Sequence, residues 1–218
     1  MPVHLRPSAP TAADAILCGD PSRALTIAQA VLPKPRMSNH HRGLWGYWGE
    51  TESGRELTVQ ATGIGGPSAV TVLSELVGLG LRRAIRVGTC AVGGSTPALG
   101  SSRVVTAAIA ADGASAALGA VPGAALEPDP ELTRRLLLAT AAAPTRVISR
   151  DLQPTAGDDD RAAADLQTAA TLAFAARAKV ALAATLAVAS AAGRRLEDEP
   201  LEAELLRLAR AAAAVLAD

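Results

Sequence analysis

Three apolar runs in this 218-residue chain each stop at a glycine turn, and that repeated punctuation limits the fold more than any other feature. The runs are DAILCGD (14–20), RELTVQATG (55–63) and AIRVGTC (84–90), with turns at Gly19, at Gly63 to Gly66 and at Gly88. Short apolar runs closed by glycine read as buried strands. Behind the first two turns the apolar residues fall at helical spacing. PSRALTIAQAVL (21–32) places Pro21 in a first helical turn, where its missing N–H costs nothing. GIGGPSAVTVLSELVGLG (63–80) carries a stripe of Val70, Leu73, Leu76 and Val77. Strand, turn and helix in succession build a sheet covered by helices, and such sheets hold ligands at the carboxyl ends of their strands.

The rest of the chain extends the pattern. LWGYWGE (44–50) and the run at 55–63 flank a hairpin turn at TESG. A further strand is expected over 101–115, a helix over 129–143 and a short strand over 145–149. A loop (151–161) then leads to a helix over 163–178, a buried strand over 179–190 and a final helix over 199–217. That last helix puts Leu201, Leu205, Leu208 and Val215 on one face. The fold expected is a single α/β domain over 1–218. It has three layers, α/β/α, around a mixed, mostly parallel central sheet.

Composition narrows the partners. Twenty-one basic residues balance twenty-one acidic ones, which argues against nucleic acid. The four aromatics, Trp45, Tyr47, Trp48 and Phe174, make no base-stacking platform, so the core must come from Ala, Leu, Val and Ile. Cys18 and Cys90 fall on strands without a CxxC pattern and read as small buried hydrophobes in a reducing compartment, with no metal. The N-terminus lacks an apolar leader core, and the apolar run at 180–192 is too short to cross a bilayer. A soluble, cytoplasmic protein without membrane contact is the expectation.

Arg23 follows Gly19 by four residues, and Arg86 precedes Gly88 by two. Thr89 adds a hydroxyl, and the turns add backbone N–H groups. Together they suit a phosphate, which takes forked bonds from arginine and amide bonds from a tight turn. The alternative for Arg86 is a structural ion pair, with Asp20 as the partner at hand. The turn at Gly63 to Gly66 is not a dinucleotide fingerprint, since Ser68 stands where the third glycine belongs. His40 and His41 read as surface residues, and Asp158 to Asp160 as a solvated loop rather than a metal seat.

Six segments, in order and spacing, resemble the nucleoside phosphorylase-I family of hexameric purine nucleoside phosphorylases and uridine phosphorylases. They are LCGDPSRALTIAQ (17–29), NHHRGLWGYWGE (39–50), ATGIGGPSA (61–69), IRVGTCAVG (85–93), AADGAS (110–115) and ADLQTAATLAFAA (164–176). The resemblance implies phosphorolysis: phosphate attacks the anomeric carbon of a nucleoside, giving free base and pentose 1-phosphate, with phosphate as co-substrate and no cofactor. It implies a phosphate site of Gly19, Arg23, Arg42, Arg86 and Thr89, in which Arg23 and Arg86 position the anion. It implies ribose contacts from His4, Leu166 and Gln167. It further implies a dimer-based homo-oligomer, up to a hexameric ring, in which Arg42 and His4 serve the neighbouring subunit's site.

Three departures bear on the substrate. The ribose segment reads Asp165-Leu166-Gln167-Thr168, with Gln167 replacing a glutamate. Ala191 stands where the purine enzymes' proton-donating aspartate aligns, so no general acid is identified. The segment from Asp151 to Asp165 is short and lacks base-stacking aromatics, with Gln153 and Pro154 in their place. Lacking the purine-type acid, and with DGAS at 112–115, the chain resembles the uridine branch more, so pyrimidine nucleosides are expected ahead of purine ones. The alternative is a non-catalytic homologue that binds phosphate or nucleoside, or serves as a partner subunit of an active paralogue.

Overall fold

The structure, a computed structural model, describes residues 2–153 and 162–218. Its first half runs β1 (Asp14–Cys18), α1 (Pro21–Val31), β2 (Arg36–Asn39), β3 (Gly46–Glu50), β4 (Glu56–Ala61), α2 (Gly65–Gly78) and β5 (Arg83–Val92). A single 3-10 turn, His41–Gly43, joins β2 to β3. The second half runs β6 (Ser102–Ala111), α3 (Gly113–Ala117), β7 (Ala125–Leu126), α4 (Pro130–Thr140), β8 (Ala143–Arg150), β9 (Ala163–Asp165), α5 (Thr168–Ala178), β10 (Ala181–Ala191), β11 (Arg194–Arg195) and α6 (Asp198–Ala217).

The central strands are buried on both faces, so their sequences read as apolar runs, with residues alternating between two cores. Ile16, Ile85, Val87, Ala183 and Ala187 face one core, closed by α1, α4 and α6. Leu17, Ala84, Leu182, Ala184 and Leu186 face the other, closed by α2 and α5. Alanines at the centre of β10 let the helices approach closely and explain how a core with so few aromatics fills.

The sheet is mixed, as expected, and its two longest ladders, β5 with β10 and β6 with β8, are parallel. It is more closed than a simple layer. β10 pairs with both β5 and β6, β8 pairs with β6 and β9, and β9 returns to β5, so five strands form a ring. β1, β4, β3 and β2 extend outward from β5.

Two elements are shorter than expected. The strand placed over 101–115 stops at Ala111, because Asp112 caps α3 by accepting the Ser115 N–H at 2.7 Å and its hydroxyl at 2.6 Å. The helix placed from 163 starts at Thr168. Residues 163–165 pair instead with β5 and β8, and the Asp165 carboxylate takes the Thr168 N–H at 3.2 Å. The short strands β2, β7 and β11 had no apolar run to announce them. No helix among the described residues is long and apolar enough to cross a membrane.

Candidate active site

A cavity of about 870 Å³ opens where β1, β5 and β10 end, bordered by the turns at Gly19, Gly63 and Gly88. Its floor begins with β1. After Cys18 the chain turns at Gly19, and Asp20 caps α1 by accepting the Arg23 N–H at 2.9 Å and the Ser22 hydroxyl at 2.5 Å. Burial pushes the Asp20 carboxyl up. Those bonds, with the Arg23 charge, together outweigh it and hold the group below its usual value. Asp20 is thus a helix cap and not the partner of Arg86. The cap sets Arg23, half-buried, on the cavity wall.

The turn before α2 requires glycine. Gly63 has φ 75°, and a Cβ there would lie 2.5 Å from the Ser68 hydroxyl, which bonds the Thr62 carbonyl at 2.6 Å. Ile64 at the cap position offers no side-chain acceptor, so no side chain caps the first turn of α2 beside the cavity.

Arg86 comes up from β5 with only 7% of its surface exposed. Its Nη2 lies 3.1 Å from the Asp165 carboxylate, and its Nε donates to Gln167 Oε1 at 3.4 Å. Asp165 is held in turn by the Ser149 hydroxyl at 2.6 Å and the Thr168 hydroxyl at 2.5 Å. The guanidinium lies flat over Gly88, where a Cβ would stand 2.4 Å from Nη1. That Nη1 is buried and has no partner among the described residues. A buried donor left unpaired costs about 1–3 kcal/mol. Thr89, half-buried, borders the same space.

Gln167 departs from its expected role. Its amide donates to the Gly63 carbonyl at 2.6 Å, and its oxygen accepts from the Thr62 hydroxyl at 3.3 Å as well as from Arg86. Only 4% exposed, it ties the Gly63 turn to Arg86, so it is not free to grip sugar hydroxyls. Leu166 beside it is half-buried and borders the cavity.

Arg42 borders the cavity of its own chain, carried there by left-handed backbone at φ 57°. His4 does not border it. Its Nδ1 sits 2.8 Å from Glu75 on α2, which also accepts the N–H groups of Val3, His4 and Leu5. Burial acts to raise the Glu75 carboxyl, but those bonds draw it down to about 2. Ala191 is buried, and Ala189 and Ser190 form the cavity wall on β10. The polar residue of β10 that borders the cavity is Ser190, which follows a register shift between Val188 and Ser190. Cys90 borders the cavity with its thiol pushed by burial up to about 12, which keeps it protonated and unreactive at neutral pH. Asp158 to Asp160 and Pro154 lie outside the described residues. Sequence reasoning missed Asp165 as the partner of Arg86, and missed Arg195. The first lay inside a segment read for sugar contacts; the only signal for the second was Gly193 after a long strand.

The sequence profile described as the phosphorylase superfamily matches residues 14–152. The chain belongs to that superfamily. The match covers β1 to β8 and includes Gly19, Arg23, Arg42, Arg86 and Thr89. The DeoD-type purine nucleoside phosphorylase of Oceanobacillus iheyensis is 42% identical over 92 residues, 41% of this chain and 39% of that one. The DeoD-type purine nucleoside phosphorylase of Clostridium beijerinckii is 40% identical over 92 residues, 41% of this chain and 38% of that one. These alignments thus span about two fifths of the length of the curated relatives. The crystal structure of uridine phosphorylase from Vibrio fischeri ES114 superposes with a TM-score of 0.80 at 19% identity, over 94% of this chain and 92% of that one. Superfamily membership and this superposition agree on the fold, including the mixed central sheet.

Proposed function

We propose that this protein is a nucleoside phosphorylase. It uses inorganic phosphate to cleave the N-glycosidic bond of a nucleoside, pyrimidine ahead of purine, and releases free base and pentose 1-phosphate. The observation that carries the reading is Arg86. It is a buried guanidinium on the cavity lining, with two edges fixed by Asp165 and Gln167 and with Nη1 buried and unpaired among the described residues. Superfamily membership and the DeoD-type relatives, which are named for purine nucleosides, support phosphorolysis, and the pyrimidine preference rests on Ala191 and the DGAS segment alone.

Arg23, Arg42 and Arg86 hold the phosphate over the turns at Gly19 and Gly88. As the C1′–N bond lengthens, positive charge grows on the pentose, and the bound phosphate stabilises that charge and then bonds to C1′. Positioning and electrostatics supply most of such a rate gain. The cavity volume suits a nucleoside beside an anion. The oligomer belongs to the same proposal. His4, tied to Glu75 and away from its own cavity, serves a neighbouring subunit's sugar site, whereas Arg42 reaches the site of its own chain.

Chromatographic detection of free base tests this directly. The panel is uridine, thymidine, inosine, adenosine and guanosine, each with and without phosphate. Phosphate-dependent release is expected, uridine and thymidine first. Release independent of phosphate would make the protein a hydrolase. No release from a folded sample would favour the non-catalytic reading. That reading has one observation behind it: both carboxylates bordering the cavity, Asp20 and Asp165, are engaged inside the protein, leaving no general acid among the described residues there.

A further inference from the structure

Gln167 borders the cavity, yet its side chain has nothing left to offer a ligand. It stands at the cap position of α5 without capping that helix. The Asp165 carboxylate accepts the Thr168 N–H at 3.2 Å, and the Ser149 hydroxyl oxygen accepts the Ala169 N–H at 2.8 Å. With the start of α5 satisfied by those two groups, the Gln167 carboxamide reaches across to the glycine turns. Its Nε2 donates to the Gly63 carbonyl at 2.6 Å and, more weakly, to the Gly65 carbonyl at 3.4 Å. Its Oε1 accepts from Arg86 Nε at 3.4 Å and from the Thr62 hydroxyl at 3.3 Å. That hydroxyl also lies 3.0 Å from the Cys18 carbonyl, just before Gly19. A Cβ on Gly19 would stand 4.0 Å from Gln167 Oε1. The carboxamide thus sits where the turns at Gly19 and Gly63 meet Arg86. A guanidinium N–H only donates and a carbonyl only accepts, so this place demands a donor and an acceptor on one planar group. Two N–H groups and two lone pairs are all that a carboxamide has, and here all four are taken.

We infer that Gln167 is a positioning residue for the phosphate and not a contact to the sugar. It fixes the Nε edge of Arg86 while Asp165 holds Nη2, and it ties that edge to the Gly63 turn. Phosphate affinity therefore depends on Gln167, and recognition of the 2′-hydroxyl does not. The inference rests on the phosphorylase reading of the same site. Without the carboxamide, the guanidinium is anchored at Asp165 alone and turns about that contact, which carries Nη1 away from its place over Gly88. The Gly63 turn, left-handed at φ 75°, loses its bond at the same time. A glutamate would not serve. Its carboxylate would face the Gly63 and Gly65 carbonyls, acceptor against acceptor. Its charge, added to that of Asp165, would also oppose a bound anion.

The test compares wild type with Gln167→Glu and Gln167→Met, which keep the length of the side chain. Inorganic phosphate is titrated by calorimetry, the melting temperature of each protein is recorded, and phosphorolysis of uridine and 2′-deoxyuridine is followed at steady state. Both folded variants should bind phosphate about tenfold or more weakly, as loss of a hydrogen bond to a charged group costs. Their kcat/KM should fall by the same factor for the two nucleosides. A merely structural role would lower the melting temperature and leave the phosphate affinity of the folded protein where it was. Unchanged phosphate affinity overturns the inference and leaves the phosphorylase reading standing. So does a loss on uridine about tenfold or more greater than the loss on 2′-deoxyuridine, which marks a bond to the 2′-hydroxyl. If neither variant folds, wild type decides: near-equal use of the two nucleosides supports the inference, and a preference for uridine of about tenfold or more overturns it. If wild type binds phosphate but releases no base, the phosphorylase reading fails, and the titrations alone decide the role of Gln167. No phosphate binding by wild type overturns both.

Discussion

At the end of the cavity near β1 and β5, every side-chain polar atom of Asp165 and Gln167, and all but Nη1 of the Arg86 guanidinium, is engaged within the protein. At the end near β10 and β11, Arg195 stands largely exposed on a two-residue strand, held among the described residues by a weak contact with Asp198. Within one cavity, then, the end around Arg86 is preorganised and the opposite end adjustable. A buried guanidinium must be over-determined, because an unpaired charge there would destabilise the fold. A rim side chain in water carries no such demand, and its cost of reorientation is small. On the proposed reading, the architecture fixes the anion, while the opposite end leaves its ligand to side chains that are free to move.

The largest expected break falls on the anion end. Asp165→Asn leaves Arg86 buried without its counter-charge and should lower unfolding stability by about 3–5 kcal/mol in denaturant titrations. Millimolar phosphate should return part of that loss, because a ligand bound only by the folded state stabilises it. Gly88→Ala is next. Its Cβ would stand 2.4 Å from Nη1, so the guanidinium must move, and kcat/KM for phosphate should fall by about a hundredfold or more, as misplacement by an ångström commonly costs.

The middle of the cavity sharpens the contrast. Gln167 is occupied by Gly63, Thr62 and Arg86, so no group there waits for a 2′-hydroxyl. Uridine and 2′-deoxyuridine should therefore differ by no more than about threefold in kcat/KM, since strong rejection requires a site group left unpaired. The smallest effect concerns the N-terminal segment, which touches neither end. Glu75 has its folded pKa drawn from 4.5 down to about 2 by the segment's N–H groups and His4. A depressed carboxyl stabilises above its unfolded value and loses that contribution as pH falls from about 4.5 toward 2. Hydrogen exchange at Val3 to Leu5 should accelerate across that window, and Glu75→Gln should flatten the response.

Much of the end around Arg86 is legible in the sequence, because glycine turns after apolar strands mark where the cavity lies, and Arg23, Arg86 and Thr89 stand next to those turns. Arg86 is both an ion-pair member and the holder of a buried, unpaired donor. Sequence spacing poses these as alternatives, and its partner Asp165 is distant in the chain and comes together with it only through the β5–β9 pairing. Gln167 and Ala191 show the limit more sharply. Which atom of Gln167 is free depends on turns a hundred residues away, and whether Ser190 or Ala191 faces the cavity depends on a one-residue register shift in β10. The strand β11 carries no apolar pattern, so Arg195 reached the site unannounced.

Calorimetric titration of inorganic phosphate into wild type and Arg86→Lys tests the central claim most directly. Lysine keeps a charge for Asp165 but cannot present the open Nη1 of the guanidinium fork. Saturable binding by wild type, weakened about ten- to hundredfold in Arg86→Lys, is the predicted result. Equal affinity in the two proteins, or no phosphate binding by wild type, would contradict a phosphate site built around Arg86.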